Sequence, residues 1–577
     1  MEKVKCDILK TTSMKLFFML CGYFLLLLIL YMACQFLKFN NCLGFIQILS
    51  ILIPVVFYTL FERKDKKIKK IFIVIEIFLF ITLLLPFIYN KTYDLTVDGN
   101  SYHKTAIAYI KNGWNPIYES IDDFAKTNND VIALDDDSKI DLWVEHYPKA
   151  TWITAATMYN MTGNIESGKC ITLIFSIMLV IISYNCLQII LSRKWAMFIS
   201  ILMALNPVTL SQLFSYYVDS LMGIMFAIEL LLLFMIEPRK NQKENIFLWF
   251  SLASICCFFV NIKFTGLLAS GVIAAVFYFY WLIKNRKEKN FFKIFKTITL
   301  CFIAIFATAI FFVGANSYIK NTIDHHNPLY PIIGKDKVDI ITTMQPKSFK
   351  EKGMVEKFFI SLFSKTENVT YGSGEPELKN PLKVYQSEID ALLIPDVRIG
   401  GFGPLFALTI IISTIGFLMV LTKFIKYHKK QIKFIVLPSL AIILSMILLG
   451  ENWWARYIPQ LYLFPIGVIV LMVYVSSNFK YKKIPLVFNC VIIGVLFLNC
   501  YYFLCANNDL LKTFSQINND IIEMKNTKNL KLHITTEGLD GYYYTLNDLG
   551  VKYEVKQNIK EKNMLYKYSW RVVVEQK

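Results

Sequence analysis

At 577 residues, 55% of them hydrophobic and 15% aromatic, with a mean hydropathy of +0.46, the chain is too apolar for a soluble protein of its size. A net charge of +18 would point to nucleic acid in a soluble domain. Here the basic residues gather in short clusters between apolar runs, and the positive-inside rule explains them without a nucleic-acid partner.

Lys3, Lys5, Lys10 and Lys15 precede the first apolar run, which is longer than a signal-peptide core and lacks a small-x-small cleavage site. It reads as a retained span with the N-terminus in the cytoplasm. A helix needs roughly 20 residues to cross about 30 Å of hydrocarbon. That length, with the basic loops kept inside, predicts about thirteen spans, at 14–37, 42–60, 71–90, 168–191, 195–213, 220–236, 246–262, 264–283, 297–316, 403–422, 434–450, 458–477 and 485–505. The apolar runs lack the alternation of a membrane barrel. The expected fold is an all-α polytopic membrane protein with two folded extracytoplasmic loops and a small C-terminal α/β domain. Its divisions are two N-terminal helices (1–70), a core (71–316) holding the first outer loop (91–167), a second outer loop (317–402), the last spans (403–505) and the tail (506–577), which lies outside.

The basic clusters 63–70, 239–240, 284–289, 423–433 and 480–483 mark inner connections. Between them the chain turns on the outer surface near Tyr216–Asp219, Asn261–Gly266 and Glu451–Tyr457. The stretch 91–150 reverses the charge pattern, with eleven Asp or Glu against six Lys. It carries an amphipathic helix candidate, Ser101–Asn112, stopped by Gly113, and a second candidate follows at Ala150–Met161 before Gly163. Both are expected to lie along the membrane surface. In the tail, Leu530–Thr535, Val551–Val555 and Tyr568–Val574 read as strands around a helix at Tyr542–Leu549. Twelve cysteines fall almost wholly in or beside spans, where Cys acts as a small hydrophobe, and their spacing builds neither a disulfide framework nor a zinc site.

Candidate chemistry sits at the outer ends of spans. Asp98, in Asp94-Leu95-Thr96-Val97-Asp98-Gly99-Asn100, can face substrates anchored in lipid and take a proton as general base; the competing role is an N-cap for the following helix. Lys263 and Arg456 lie in turns so short that they hug the membrane, where cations can hold a lipid phosphate and stabilise it as a leaving group; interfacial snorkelling is the competing role. Asp219, after the break at Asn206-Pro207, can orient a sugar hydroxyl or cap the next helix. His146 and Lys149, flanking Tyr147-Pro148, can contact phosphate or sugar or simply form a turn. His325-His326 precedes a Pro-rich turn, and adjacent histidines rarely point the same way, so they make a poor metal site. A divalent metal is compatible with the chemistry, but no ligand cluster demands one.

The order Asp98-Gly99-Asn100-Ser101-Tyr102-His103, Tyr147-Pro148, Lys263-Phe264-Thr265-Gly266, Asn327-Pro328-Leu329-Tyr330-Pro331 and Arg456-Tyr457 resembles the GT-C superfamily of polyprenyl-phosphate-dependent glycosyltransferases. The likeness is to bacterial relatives of the protein O-mannosyltransferases and the lipid A aminoarabinose transferase, and it covers about residues 71–400. It implies a seven-helix core with large outer loops after its first and seventh helices, an undecaprenyl-phosphate-sugar donor and inverting attack. It implies Asp98 as base, with Tyr102, His103, Asp219, Lys263, Arg456 and Tyr457 at the substrate. Many relatives carry an Asp-Glu pair where this chain has Asp98-Gly99, so the acidic partner would be Asp94, Asp219 or absent.

The compartment supports that donor class. Nucleotide sugars are not supplied outside the cytoplasm, so an activated sugar must arrive on lipid. The reading is a transferase passing a sugar from a lipid-linked donor to a cell-envelope glycan, lipid or protein in the bacterial cytoplasmic membrane. The alternatives are a polysaccharide polymerase or ligase, and a lipid-glycan flippase.

Overall fold

The computed structural model describes residues 11–62, 68–132, 140–238, 243–339, 341–427, 431–478, 483–534, 538–555, 564–565 and 572–575. Lys3, Lys5 and Lys10, the basic residues 63–67 and 239–240, part of the clusters 423–433 and 480–483, and the start of the third predicted strand lie outside the described residues.

A helix occupies each predicted apolar segment. In chain order these include α1 (Thr12–Phe36), α2 (Leu43–Glu62) and α3 (Ile68–Tyr89, with a π turn at Phe80–Leu84). The first outer loop supplies α4 (Lys104–Lys111) and α5 (Ala150–Thr162). Then come α6 (Ile165–Leu187), α7 (Arg193–Ala204), α8 (Asp219–Met235), α9 (Lys243–Val260), α10 (Phe264–Asn285) and α11 (Phe291–Val313). The second loop holds α12 (Met354–Phe363), and α13 (Phe406–Tyr427), α14 (Lys433–Leu449), α15 (Leu463–Asn478) and α16 (Lys483–Asn526) follow. Eight helices among the described residues are long and apolar enough to cross a membrane, which makes the chain a helical, multi-pass membrane protein.

The helices pack inside-out. On α2, Phe45, Ile48, Leu52, Val56, Phe57 and Leu60 are exposed, while Gln47 and Ser50 are buried and Tyr23 donates to Gln47 Oε1 (3.2 Å). With lipid as apolar as Leu, outward hydrophobes cost nothing and polar side chains turn inward to find partners. Although α1 reads as an addition before the core, it is the most buried of the eight: 72% of its central window is covered, and Ser254 of α9 donates to the Cys21 carbonyl (2.7 Å). Its near-uniform hydrophobicity, with no polar face to keep in water, suits that central place.

Three boundaries depart from expectation. The segment 195–213 is broken: α7 ends at Ala204, Asn206 caps a new short helix at Val208 N (3.0 Å), and its side-chain amide donates to the Pro459 carbonyl (2.9 Å). The last helix does not stop at 505 but runs 44 residues to Asn526, because its outer half finds its own apolar seam in Phe514, Ile517, Ile521 and Met524. The α/β fold of the tail therefore begins at Leu530. Nor do the loop helices lie half in water: every residue from Lys104 to Ile110, and from Ala150 to Tyr159, is buried. The tail covers what the membrane does not.

That tail is a mixed four-stranded sheet in the order β2-β1-β4-β3, with β1 at Leu530–Ile534, β2 at Tyr553–Val555, β3 at Met564–Leu565 and β4 at Val572–Glu575. β1 runs parallel to β2 and antiparallel to β4. One helix, α17 (Gly541–Asp548), packs between the sheet and the first outer loop.

Candidate functional site

Five separate pieces of chain converge at one end of the helix bundle. The first loop delivers Asp98 at the start of a π turn, Gly99–His103. Asp219 opens α8, and Lys263 sits in extended backbone (φ −158°, ψ 150°) between α9 and α10. Arg456 and Tyr457 ride a 3-10 turn between α14 and α15. The end of the second loop contributes Asp396, which the sequence reading did not single out.

Arg456 is the hub. Its guanidinium lies 3.5 Å from Asp98, 3.7 Å from Asp219 and 3.2 Å from Asp396. It also stands over the rings of Trp454 (4.5 Å), Tyr217 (5.1 Å) and Tyr457 (5.4 Å). Lys263 Nζ meets Asp219 Oδ1 at 2.9 Å and the Tyr457 ring at 4.4 Å. Asp98 is the most open carboxylate of the three, 24% exposed against 13% for Asp396 and 3% for Asp219. Burial pushes Asp219 up, but Lys263 and then Arg456 outweigh it and hold the carboxyl below its ordinary value. Burial lifts Asp396 to about 6 against the pull of Arg456. Arg456 Nε and Asp396 Oδ1 are close enough to their counter-charges for attraction but not aligned as hydrogen bonds, so both keep a vacant bonding direction.

Asp98 does not cap the helix after it: its side chain makes no capping bond, and Oδ2 instead accepts from the Tyr102 hydroxyl (3.2 Å). Tyr102 thereby joins the cluster. His103 is fully buried and pushed down to about 3, chiefly by that burial, so it is neutral. Its Nδ1 accepts from Trp152 Nε1 (2.7 Å), which places the proton on Nε2, a buried donor with no partner among the described residues. It lies within electrostatic reach of Asp219, Lys263 and Arg456.

Other candidates are held elsewhere. Asp94 is fully buried and ties its own loop, accepting from Thr96 N (2.8 Å), Thr96 Oγ1 (2.6 Å) and Tyr216 N (2.6 Å). Lys149 donates to the carbonyls of Glu145 (2.7 Å) and Tyr147 (2.8 Å) and stands over Trp114 and Trp152. His146 bonds Asn321 through Nδ1 (2.8 Å) and packs on His325 and Tyr330, joining the two outer loops. Tyr147 faces the site instead, within charge reach of Lys263 and Asp219.

A second polar network lies beside the site. Glu166 pairs with Lys104 (2.6 Å) and Lys169 (2.7 Å), all three at 0% side-chain exposure, and accepts from Asp94 N (3.1 Å) and from the Thr545 hydroxyl (2.7 Å).

Beside the charged cluster, between α8, α10 and α14, lies a small enclosed cavity of about 10 Å³, where Asp219, Lys263, Thr265, Arg456, Tyr457 and Gln460 meet the apolar side chains of Met222, Phe226, Ala269 and Leu449. The chain matches no protein-family model and no curated protein. Among the described residues no three His, Cys, Asp or Glu side chains are grouped as ligands for a metal ion.

Proposed function

We propose that this chain is a membrane glycosyltransferase that moves a sugar from a polyprenyl-phosphate-linked donor to a cell-envelope acceptor on the outer face of the membrane. One observation carries the reading: a buried lysine, a largely covered arginine and an accessible carboxylate, delivered by separate pieces of chain, meet in one cluster at the end of a bundle of apolar helices. The two cations suit a ligand with an anionic head, and the membrane around the helices is where the hydrocarbon tail of such a ligand would lie.

In this mechanism the donor phosphate takes the vacant directions at Arg456 and the ammonium of Lys263. Asp98 accepts the proton of an acceptor hydroxyl, and the freed oxygen attacks the anomeric carbon from the face opposite phosphate. The bond from that carbon to the phosphate oxygen breaks, and the electron pair leaves on the polyprenyl phosphate, where the two cations stabilise it. Asp219 keeps Lys263 oriented and charged. Asp396 keeps Arg456 paired until the phosphate arrives. His103 Nε2 offers a neutral donor to a sugar hydroxyl.

Asp98→Asn keeps the shape and removes the base. Transfer from a polyprenyl-linked sugar in membranes is expected to fall about 10² to 10⁴-fold with donor binding retained. Undiminished turnover removes Asp98 from the mechanism.

A further inference from the structure

The loop that presents Asp98 is not self-supporting; it is bolted from above by the C-terminal domain. Asn100 Nδ2 donates to the carbonyls of Asp94 (2.8 Å) and Thr96 (2.8 Å), closing the loop on itself. The other end of that amide, Asn100 Oδ1, accepts from Lys104 Nζ (2.9 Å). Lys104 also donates to Thr545 Oγ1 of α17 (2.9 Å), whose hydroxyl donates to Glu166 Oε1 (2.7 Å). A continuous chain of bonds thus joins α17 to the backbone on both sides of Asp98. The contact is also steric: a Cβ on Gly541 would stand 2.6 Å from Asn100 Cα, so the first turn of α17 lies against the main chain of the loop. Around this point Asp548 accepts from Tyr159 Oη (2.6 Å) and Ile165 N (2.7 Å), and Tyr544 Oη accepts from Ile132 N (2.9 Å).

We propose that the C-terminal α/β domain is a positioning device for the candidate base, with Thr545 and Gly541 as its positioning residues. Seated, α17 fixes the loop 94–103 so that Asp98 reaches Arg456 and the open side of the site. Unseated, the carboxylate is still present but no longer aimed. The catalytic part of this inference rests on the transferase reading; the mechanical part does not.

The test uses the full-length protein in lipid nanodiscs and two unrelated substitutions. Thr545→Val removes the hydroxyl at constant shape, and Gly541→Ala separates the two surfaces without burying an unpaired polar group. Both are expected to lower kcat by as much as about 10²-fold at unchanged donor KM, as misplacement of a catalytic group does. Thr545→Ser is expected to restore turnover. Amide exchange should rise over 94–103 while α8 to α10 keep their protection. Wild-type kcat in both variants, or a proportional rise in donor KM, overturns the assignment. So does unchanged exchange at 94–103. If exchange responds as expected but the wild-type protein transfers no sugar, the clamp stands and the transferase reading falls. Should Thr545→Val fail to fold, Gly541→Ala decides alone.

Discussion

Asp396 meets the same nitrogen of Arg456, Nη1, as Asp98 does, and its environment gives the site a pH dependence. Burial raises its carboxyl from 3.8 to about 6, with Arg456 pulling the other way and Asp98 adding to the rise. A carboxyl raised on folding contributes stability in its protonated form; that contribution is complete below about pH 3.8 and is lost as the pH climbs through about 6. Asp396→Asn keeps the shape and abolishes the titration. The wild-type melting temperature should therefore drop relative to the variant between about pH 4 and pH 7, and a constant difference across that range would refute the assignment. Asp98, Asp219, Lys263 and Arg456 were legible in the sequence because each is a charge stranded in outer turns or at a span end, where topology alone gives it no reason to be. Asp396 obeys the same rule, lying between Ile394-Pro395 and Gly400-Gly401 just before the next apolar run. It was missed because the long loop before it drew attention to its beginning, and no local pattern says which of that loop's carboxylates folds back.

Among the elements, the start of α6 and the π turn before α4 hold the site's framework. Glu166 pairs with two lysines that have no access to water, so removing its charge strands both. Glu166→Gln is expected to cost about 3–5 kcal/mol of stability, read by thermal unfolding in detergent, because breaking a buried pair leaves uncompensated charge. A loss below about 1 kcal/mol would refute that role for Glu166. Helix existence was readable from length and hydrophobicity, and both loop helices from their glycine stops. What periodicity could not convey was burial on all sides, since the covering surface comes from residues 541–548, 389 positions from Tyr159 and 441 from Lys104 in the bonded pairs. Nor could it separate Asp94 from Asp98, four residues apart. Gly99 does that: a Cβ there would stand 2.0 Å from Asp94 Oδ2, and only its absence lets one carboxylate turn into the loop while the other faces out.

At the scale of the molecule, the charge asymmetry of the loops predicts a sidedness that chemical labelling can check. Ser373→Cys, on the exposed second loop, should react with a membrane-impermeant maleimide in intact cells, and Lys289→Cys, on an exposed turn between α10 and α11, only after permeabilisation. The reverse pattern would put the charged cluster in the cytoplasm and remove the reason for a lipid-borne donor. The central place of α1 was closed to sequence reasoning, since an apolar helix facing lipid and one facing other helices read alike. The rod-like α16 carries a consequence of its own. Its 44 residues span about 66 Å at 1.5 Å per residue, far more than a bilayer's hydrocarbon, so the surplus is a mast with the sheet at its top. On a mast, bearing is a matter of counting: one residue inserted or deleted would swing the cap by roughly 100° and carry α17 off its seat. Length variation should gather in the chain's loops and spare the stretch from 506 to 526.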